Sequence, residues 1–159
     1  MHKRFAMAGD GSIKLDSMLC FAVYAAGHAF TRFYKPRLEA LDLTYPQYLA
    51  FIVLWEQDDI TVKALGDRLF LDSGTITPLI KRLEARGLVT RRRDEDDERQ
   101  VRIRLTPEGR ALREKAKAIP LQVAEGTGMT LETVDRLRRE LLELRDQLDG
   151  GRDRAKVRD

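Results

Sequence analysis

The stretch LDSGTITP, at residues 71–78, decides how this chain folds. Asp72 can cap a helix over about residues 73–86, and Gly87 follows at the position that helix C-termini favour for glycine. A shorter helix with a hydroxyl cap is predicted over about residues 61–69. Two helices joined by so tight a connection predict a helix-turn-helix.

The segment after the second helix is highly charged and predicts a β-hairpin. Residues 88–93 and 100–105 have the pattern of two strands, and the acidic run 94–98 has that of the turn between them. Between Lys81 and Arg104 the chain carries nine Lys or Arg residues and six Asp or Glu residues. The predicted fold is therefore mainly α with a small β wing, a winged helix-turn-helix with dimerisation helices at both ends.

Two helices are predicted before the helix-turn-helix. A helical pattern runs from Asp16 to about Leu41, and Pro36 is expected to kink this helix or to split it in two. The sequence TYPQ at residues 44–47 is a capping-box pattern. It begins a helix over roughly residues 46–57, which is apolar nearly all round and is predicted to form the centre of the core.

The C-terminal part is predicted to be helical. Thr106 and the proline after it begin one helix, and a last helix over about residues 130–149 carries leucines that approximate a short heptad seam. Gly150 and Gly151 are expected to end it. The seam favours dimerisation, whereas packing of this helix on its own core is the competing interpretation.

These elements define four regions after a frayed arm at residues 1–12. They are sensor and dimerisation helices, the winged helix-turn-helix, C-terminal dimerisation helices and a flexible tail, at residues 13–45, 46–105, 106–149 and 150–159.

Composition limits the class of protein. A chain of 159 residues with 43% hydrophobic and 35% charged residues fits one soluble globular domain. The longest apolar run, residues 48–55, is too short to cross a membrane, and no secretory signal is evident. A single cysteine excludes an internal disulfide, which fits a reducing cytoplasm. The net charge of +3 permits nucleic-acid binding without requiring it.

The second helix of the helix-turn-helix has the character of a DNA-reading helix. Hydroxyl groups near its N-terminus can meet base edges in the major groove, and cations follow them along the helix. The candidate residues are Ser73, Thr75, Thr77, Lys81, Arg82 and Arg86. An ordinary surface helix is the alternative, which the neighbouring wing makes less favoured.

The wing carries a second set of candidates. Arg99, at the end of the turn, suits a minor groove, with Asp97 and Glu98 beside it to fix the direction of its guanidinium group. Arg91, Arg92 and Arg93 are expected to contact phosphates, which gives affinity and salt dependence rather than sequence choice. The alternative is a solvated hairpin whose charges pair locally.

Four segments of the chain together resemble a known family. They are LCF at 19–21, YKP at 34–36, LTYPQYL at 43–49 and LDSGT at 71–75. From Leu19 to Pro120 the chain resembles the MarR family of winged-helix regulators, and these segments resemble its organic-hydroperoxide-sensing OhrR type. The resemblance implies a homodimeric repressor that leaves its double-stranded operator DNA when a reactive cysteine is oxidised.

The resemblance also assigns the sensing residues. Cys20 is the thiol, and Tyr34 and Tyr45 are implied to reach it across the dimer interface, with Tyr24 as a further candidate. A thiolate is the form that attacks a peroxide, and phenolic hydrogen bonds and the field of a helix N-terminus favour that form. With no second cysteine, the chain resembles the one-cysteine subgroup. Its sulfenic acid would be capped by a low-molecular-weight thiol, condense with a backbone amide or be over-oxidised.

Two other functions are considered. One is a MarR-type repressor that is released by a small aromatic ligand, with Cys20 structural. The other is a thiol peroxidase, against which stands the absence of a resolving cysteine, a CxxC motif or a basic residue beside Cys20. His2 and His28 lack the spacing of a metal site. We therefore expect a regulator rather than an enzyme, with no cofactor and no metal.

Overall fold

The computed structural model describes the backbone of residues 14–156 and the side chains of residues 14–150. The predicted arm at residues 1–12 lies outside the described residues. The chain divides into two compact units, residues 1–117 and 118–159.

The first helices follow a three-residue 3-10 turn, Leu15–Ser17. Helix α1 spans Leu19–Glu39 and α2 spans Tyr45–Glu56. The expected start of α1 at Asp16 was therefore wrong by one turn. Pro36 does not split α1, because only one amide donor is lost and the helix continues to the third residue beyond it.

The capping box before α2 is confirmed. The Gln47 backbone N–H donates to the Thr44 hydroxyl, and the Gln47 side chain accepts a bond of 2.9 Å from the Thr44 backbone N–H. Helix α2 also forms the centre of the core as predicted, since half of its residues are buried. They are Gln47, Tyr48, Ala50, Phe51, Val53 and Leu54.

The helix-turn-helix and the wing are confirmed. The helices are α3, Val62–Leu69, and α4, Ser73–Ala85. The strands are β1, Ile60–Thr61, then β2, Val89–Arg93, and β3, Val101–Leu105. They form one antiparallel sheet in the order β1-β3-β2. Strand β1 was not predicted, because two residues are too short for a pattern of alternation to show.

Helix α5, Pro107–Ala116, packs against α2 and β3 within the first unit. The sequence placed it instead with the C-terminal dimerisation helices. The indole of Trp55 donates to the Gly109 carbonyl oxygen at 3.1 Å, and Arg110 pairs with Asp58 at 2.6 Å. These two bonds explain why α5 belongs with the winged helix.

The second unit is helical. Helix α6 spans Ile119–Gly126, and α7 spans Leu131–Lys156. The expected end of α7 at Gly150 was wrong, because the helix continues to Lys156. The flexibility of the segment after that glycine stays a prediction. A glycine ends a helix by taking a left-handed conformation, as Gly87 does with φ of 69°, whereas Gly150 has no positive φ. Glycine within a helix costs only about 1 kcal/mol relative to alanine.

Candidate functional site

Helix α4 presents a polar face and buries an apolar one. The Thr75 backbone N–H donates to Asp72 Oδ1 at 2.8 Å, so the predicted cap is present. Ile76 and Leu83 are among the buried residues of the inner face. On the outer face Ser73, Thr75, Lys81 and Arg82 are exposed, and Thr77 is half-buried. The polar face of α4, including its first turn, is therefore exposed to solvent.

Arg86 lies at the end of α4 and is engaged within the chain. Its Nη2 atom lies 3.0 Å from Asp42 Oδ2, and its guanidinium group also donates to the Asp42 and Leu41 carbonyl oxygens. These contacts join the end of α4 to the end of α1. A contact of Arg86 with DNA stays a prediction.

Two of the three wing arginines assigned to phosphates also have partners inside the chain. Arg91 forms an ion pair of 2.7 Å with Glu84 on α4. Arg92 pairs with Asp59 at 2.8 Å and with Glu95 at 2.7 Å. Local pairing, which the sequence left open as the alternative, is thus present at both residues. Their phosphate contacts are not tested by this geometry.

Asp59 is the centre of an ion-pair cluster that the sequence did not reveal. Besides Arg92 it binds Arg102, whose Nε atom donates to Asp59 Oδ1 at 3.0 Å. Arg102 also forms an ion pair with Asp94, the first residue of the hairpin turn, with 2.8 Å between Arg102 Nη1 and Asp94 Oδ2. Hydrogen bonds from Arg102 hold the pKa of both carboxyl groups below its ordinary value, with Arg92 adding to the effect at Asp59. The cluster fixes the wing to the loop after α2.

Asp97 shapes the wing turn in a different way from that expected. Its Oδ1 atom accepts a bond of 3.1 Å from the Arg99 backbone N–H, and its Oδ2 atom accepts one of 3.0 Å from Gln100. It therefore organises the backbone rather than the Arg99 guanidinium group. Arg99 itself is exposed at the wing turn.

Cys20 is exposed and is the second residue of α1. Met18 precedes the helix without a side-chain cap, and the first turn has no acidic residue. The partial positive charge of the helix N-terminus is therefore not offset by a carboxylate beside the thiol. Tyr24, one turn further along, is 62% exposed, and its ring packs edge-on against His28 with centroids 4.3 Å apart.

Tyr34 and Tyr45 lie side by side within one chain. Their ring centroids are 4.6 Å apart, and Tyr48 lies 5.8 Å from Tyr34. Burial raises the pKa of Tyr34 to about 12, helped by the neighbouring phenols Tyr45 and Tyr48. Burial also raises the pKa of Tyr45 and Tyr48. These phenols therefore stay protonated at neutral pH and can donate hydrogen bonds. Tyr48 was not among the predicted sensing residues.

The pair formed by Tyr34 and Tyr45 is remote from the thiol of its own chain. Tyr34 follows Cys20 by fourteen residues in the same helix, which corresponds to roughly 21 Å along the axis. A tyrosine ring cannot bridge that distance. Within one chain, the structure brings the two tyrosines together but does not bring them to Cys20.

A cleft of about 710 Å³ lies beside Tyr45, between the end of α1 and the end of α4. Its lining includes Lys35, Thr44 and Arg82. Among the described residues, no group of His, Cys, Asp and Glu side chains is arranged to hold a metal ion. None of the described helices is long and apolar enough to cross a membrane.

Comparison with known proteins defines the class. A family model described as transcriptional regulator SarA/Rot matches residues 32–116. The chain is 55% identical over 139 residues to the HTH-type transcriptional regulator TtmR of Methylorubrum extorquens, covering 87% of this chain and 71% of that protein. Together with the fold, these matches define a winged-helix transcriptional regulator.

Other matches specify the family further. The chain is 54% identical over 108 residues to the organic hydroperoxide resistance transcriptional regulator of Bacillus subtilis, covering 68% of this chain and 74% of that protein. It also resembles the structure of reduced AbfR bound to DNA, with a TM-score of 0.72, 34% identity and coverage of 86% and 93% of the two chains. AbfR, from Staphylococcus epidermidis, is also known in an overoxidised form bound to DNA. This chain belongs to the MarR/SarA family of winged-helix transcriptional regulators.

Proposed function

We propose that this regulator is a repressor that binds operator DNA as a reduced homodimer and leaves it when an organic hydroperoxide oxidises Cys20. The observation that carries the proposal is the pairing of Tyr34 with Tyr45. This pair is remote from the thiol of its own chain, because Tyr34 and Cys20 lie roughly 21 Å apart along α1. The two protonated phenols cannot reach the thiol of their own chain, but they can donate hydrogen bonds to the exposed Cys20 thiol of a second copy. The same function is supported by a relative that is named for organic hydroperoxide resistance, and by AbfR, which has been solved in a reduced form bound to DNA and in a disulfide form.

Oxidation and capping of Cys20 take two steps. The Cys20 thiolate attacks the terminal hydroxyl oxygen of the hydroperoxide, an S–O bond forms as the O–O bond breaks to give the sulfenic acid, and the alkoxide takes a proton to leave as an alcohol. A low-molecular-weight thiol then attacks the sulfenic acid, forms an S–S bond and releases water. The phenols of Tyr34 and Tyr45 favour the starting thiolate by donating hydrogen bonds to it.

Release from DNA follows from the added bulk. A thiol attached to Cys20 displaces the phenols that lie at the end of α1 and at the start of α2. Arg86 joins Leu41 and Asp42, between these helices, to the end of α4, so a shift there changes the position of the reading helix. Since overoxidised AbfR is bound to DNA, we expect the thiol-capped form, rather than the sulfonic acid, to be released.

Fluorescence anisotropy on the DNA upstream of the protein's own gene tests this function. The reduced parent should bind, and organic hydroperoxide with a small thiol should release it. Cys20→Ser should bind equally well and stay bound. Release of both proteins would contradict a switch at Cys20.

Mixed dimers test whether the site is shared between two chains. One chain carries Cys20→Ser, and the other carries Tyr34→Phe with Tyr45→Phe. A site built across the interface is complete once in this heterodimer, so rapid oxidation of Cys20 should return, although neither homodimer shows it. Failure of the heterodimer to recover would show that each thiol depends on its own chain.

The cleft beside Tyr45 favours a second candidate function. A cleft of about 710 Å³ is large enough for a small aromatic acid, and Lys35 and Arg82 are cations on its lining. We propose as the alternative a repressor that such a ligand releases, with Cys20 structural. Release of Cys20→Ser from DNA by an aromatic acid would support it.

A further inference from the structure

Proline occurs at two kinds of position in the helices that the structure describes. Three prolines lie in the first turn of a helix, in α2, α5 and α6, where their missing N–H group would have no partner in the helix. Pro36 and Pro78 instead lie inside α1 and α4. Proline is the residue that a helix interior tolerates least. Pro78 therefore weakens the very helix that carries the candidate DNA-reading residues.

The consequence of Pro78 falls on the Gly74 carbonyl group. In an α-helix that oxygen accepts a hydrogen bond from the N–H group four residues later, and proline at position 78 has none. The pyrrolidine ring also crowds the carbonyl group, which favours an oxygen tilted outward from the helix axis. The first turn of α4 therefore contains a backbone acceptor without the bond that a helix normally provides.

Gly74 and Pro78 lie on the outer side of α4. Because they are four residues apart, they share one side of the helix, opposite the buried residues Ile76, Ile80 and Leu83. Both are exposed to solvent. Gly74 has no side chain that could cover its own carbonyl oxygen. The acceptor thus lies on the side of the helix that, in a helix-turn-helix, faces the base edges of the major groove.

We propose that the Gly74 carbonyl oxygen reads DNA sequence by accepting a hydrogen bond from a base amino group in the major groove. This inference rests on the DNA binding proposed above. Adenine N6 and cytosine N4 are the hydrogen-bond donors of that groove, so an acceptor on the protein selects for these two bases. The hydroxyl groups of Ser73 and Thr75 can donate as well as accept, and they discriminate less. Pro78 is the residue that keeps the selective acceptor available.

Pro78→Ala tests the proposal, because alanine supplies the missing N–H group and the Gly74 carbonyl oxygen then accepts its bond inside α4. The variant should melt at a higher temperature than the parent, yet bind the upstream duplex about fivefold more weakly. Pro36→Ala, the matched control in α1, should also melt higher but bind like the parent. Substitution of Gly74 itself is less informative, because a Cβ atom there would lie 3.2 Å from Oδ1 of the capping residue Asp72.

Base analogues that lack one amino group identify the contact. Purine in place of adenine, and 2-pyrimidinone in place of cytosine, are introduced one at a time through the upstream duplex. Each half-site should contain one position at which the analogue weakens binding of the parent about fivefold but leaves binding of Pro78→Ala unchanged. Because both proteins are measured on the same duplexes, the effect of the analogue on base pairing cancels. The analogue that has this effect shows whether adenine or cytosine is read.

Two results would overturn the proposal. One is parent-like affinity of Pro78→Ala. The other is weaker binding of this variant with the same sensitivity to every analogue as the parent, which would show that only the proline ring or the shape of the helix matters. Failure of the parent to bind any duplex would instead contradict the proposed function.

Discussion

At the scale of the residue, Gly109 lies where helix α5 meets the backbone that leads into strand β2. A Cβ atom at this position would clash with the Leu88 carbonyl oxygen. The position therefore requires glycine, because a backbone atom cannot move aside as the end of a flexible side chain can.

Gly109→Ala should therefore lower the free energy of unfolding by about 3 kcal/mol, through overpacking against rigid backbone. Urea unfolding followed by circular dichroism measures the effect. Gly27→Ala is the matched control, because nothing lies within 4 Å of the Cβ atom that it adds. A loss equal to that of the control would show that the junction relaxes freely.

The pKa of the Tyr34 phenol should lie well above that of an ordinary tyrosine. The phenolate absorbance of the parent should include a group with a pKa of about 12, which Tyr34→Phe removes. Since the folded pKa lies above the unfolded value of about 10, stability is fully present below pH 10 and is lost as the pH rises toward 12. A stability profile that is flat between those values would contradict the assignment.

At the scale of the element, helix caps and hydrophobic period sufficed for α2, α3, α4 and both long strands. The bounds were recovered because Thr44, Thr61 and Asp72 each cap a helix locally. Strand β1 and the cluster at Asp59 were missed because their partners are distant in sequence. Asp59 lies 43 residues from Arg102, to which it is bonded.

The wing should loosen in acid. The pKa values of Asp59 and Asp94 are held below the ordinary value of 3.8, so their stabilisation is present above that pH and is lost as the pH falls through the folded values. Asp59→Asn should give the same loosening at neutral pH. Faster cleavage by a protease in the wing measures it, with Glu95→Gln, an outer member of the cluster, as the milder control. Equal cleavage rates in the two variants would show that Asp59 stabilises the wing no more than Glu95 does.

Helix α7 offers a test of its C-terminal extent. If it continues through Gly150, Gly150→Ala should raise the helix content and stabilise the chain by up to about 1 kcal/mol. Circular dichroism and thermal melting measure both. A helix that ended at Gly150 in the left-handed conformation would instead lose stability on this substitution.

At the scale of the whole molecule, helices α1 and α7 each leave large hydrophobic side chains exposed. They include Leu19, Val23, Phe30, Leu131, Leu137, Leu141 and Leu148. Exposed apolar residues of this kind favour burial against a second chain. The sequence predicted dimerisation from the leucine spacing of the last helix and from the family resemblance. The shape of the interface could not be derived from the sequence, because heptad spacing indicates which face of a helix is apolar but not which surface that face packs against.

Light scattering should therefore give a mass of twice 18.3 kDa. Leu137→Glu combined with Leu141→Glu should shift it to the mass of one chain, because buried charges disfavour the interface. Glu143→Lys, at an exposed position of the same helix, should leave it unchanged. A parent that scatters as one chain would rule out the two-chain site built from Cys20, Tyr34 and Tyr45.

The bond from the Trp55 indole to the Gly109 carbonyl oxygen has a practical consequence. Trp55 is the only tryptophan of the chain. Its ring lies tilted against Phe51 and edge-on to Tyr48, at centroid distances of 5.3 and 6.4 Å. Its emission therefore comes from a single point, between the aromatic cluster that contains Tyr34 and Tyr45 and the helix that follows the wing. The protein carries its own optical reporter, with which the proposed oxidation of Cys20 can be tested over time in unlabelled molecules.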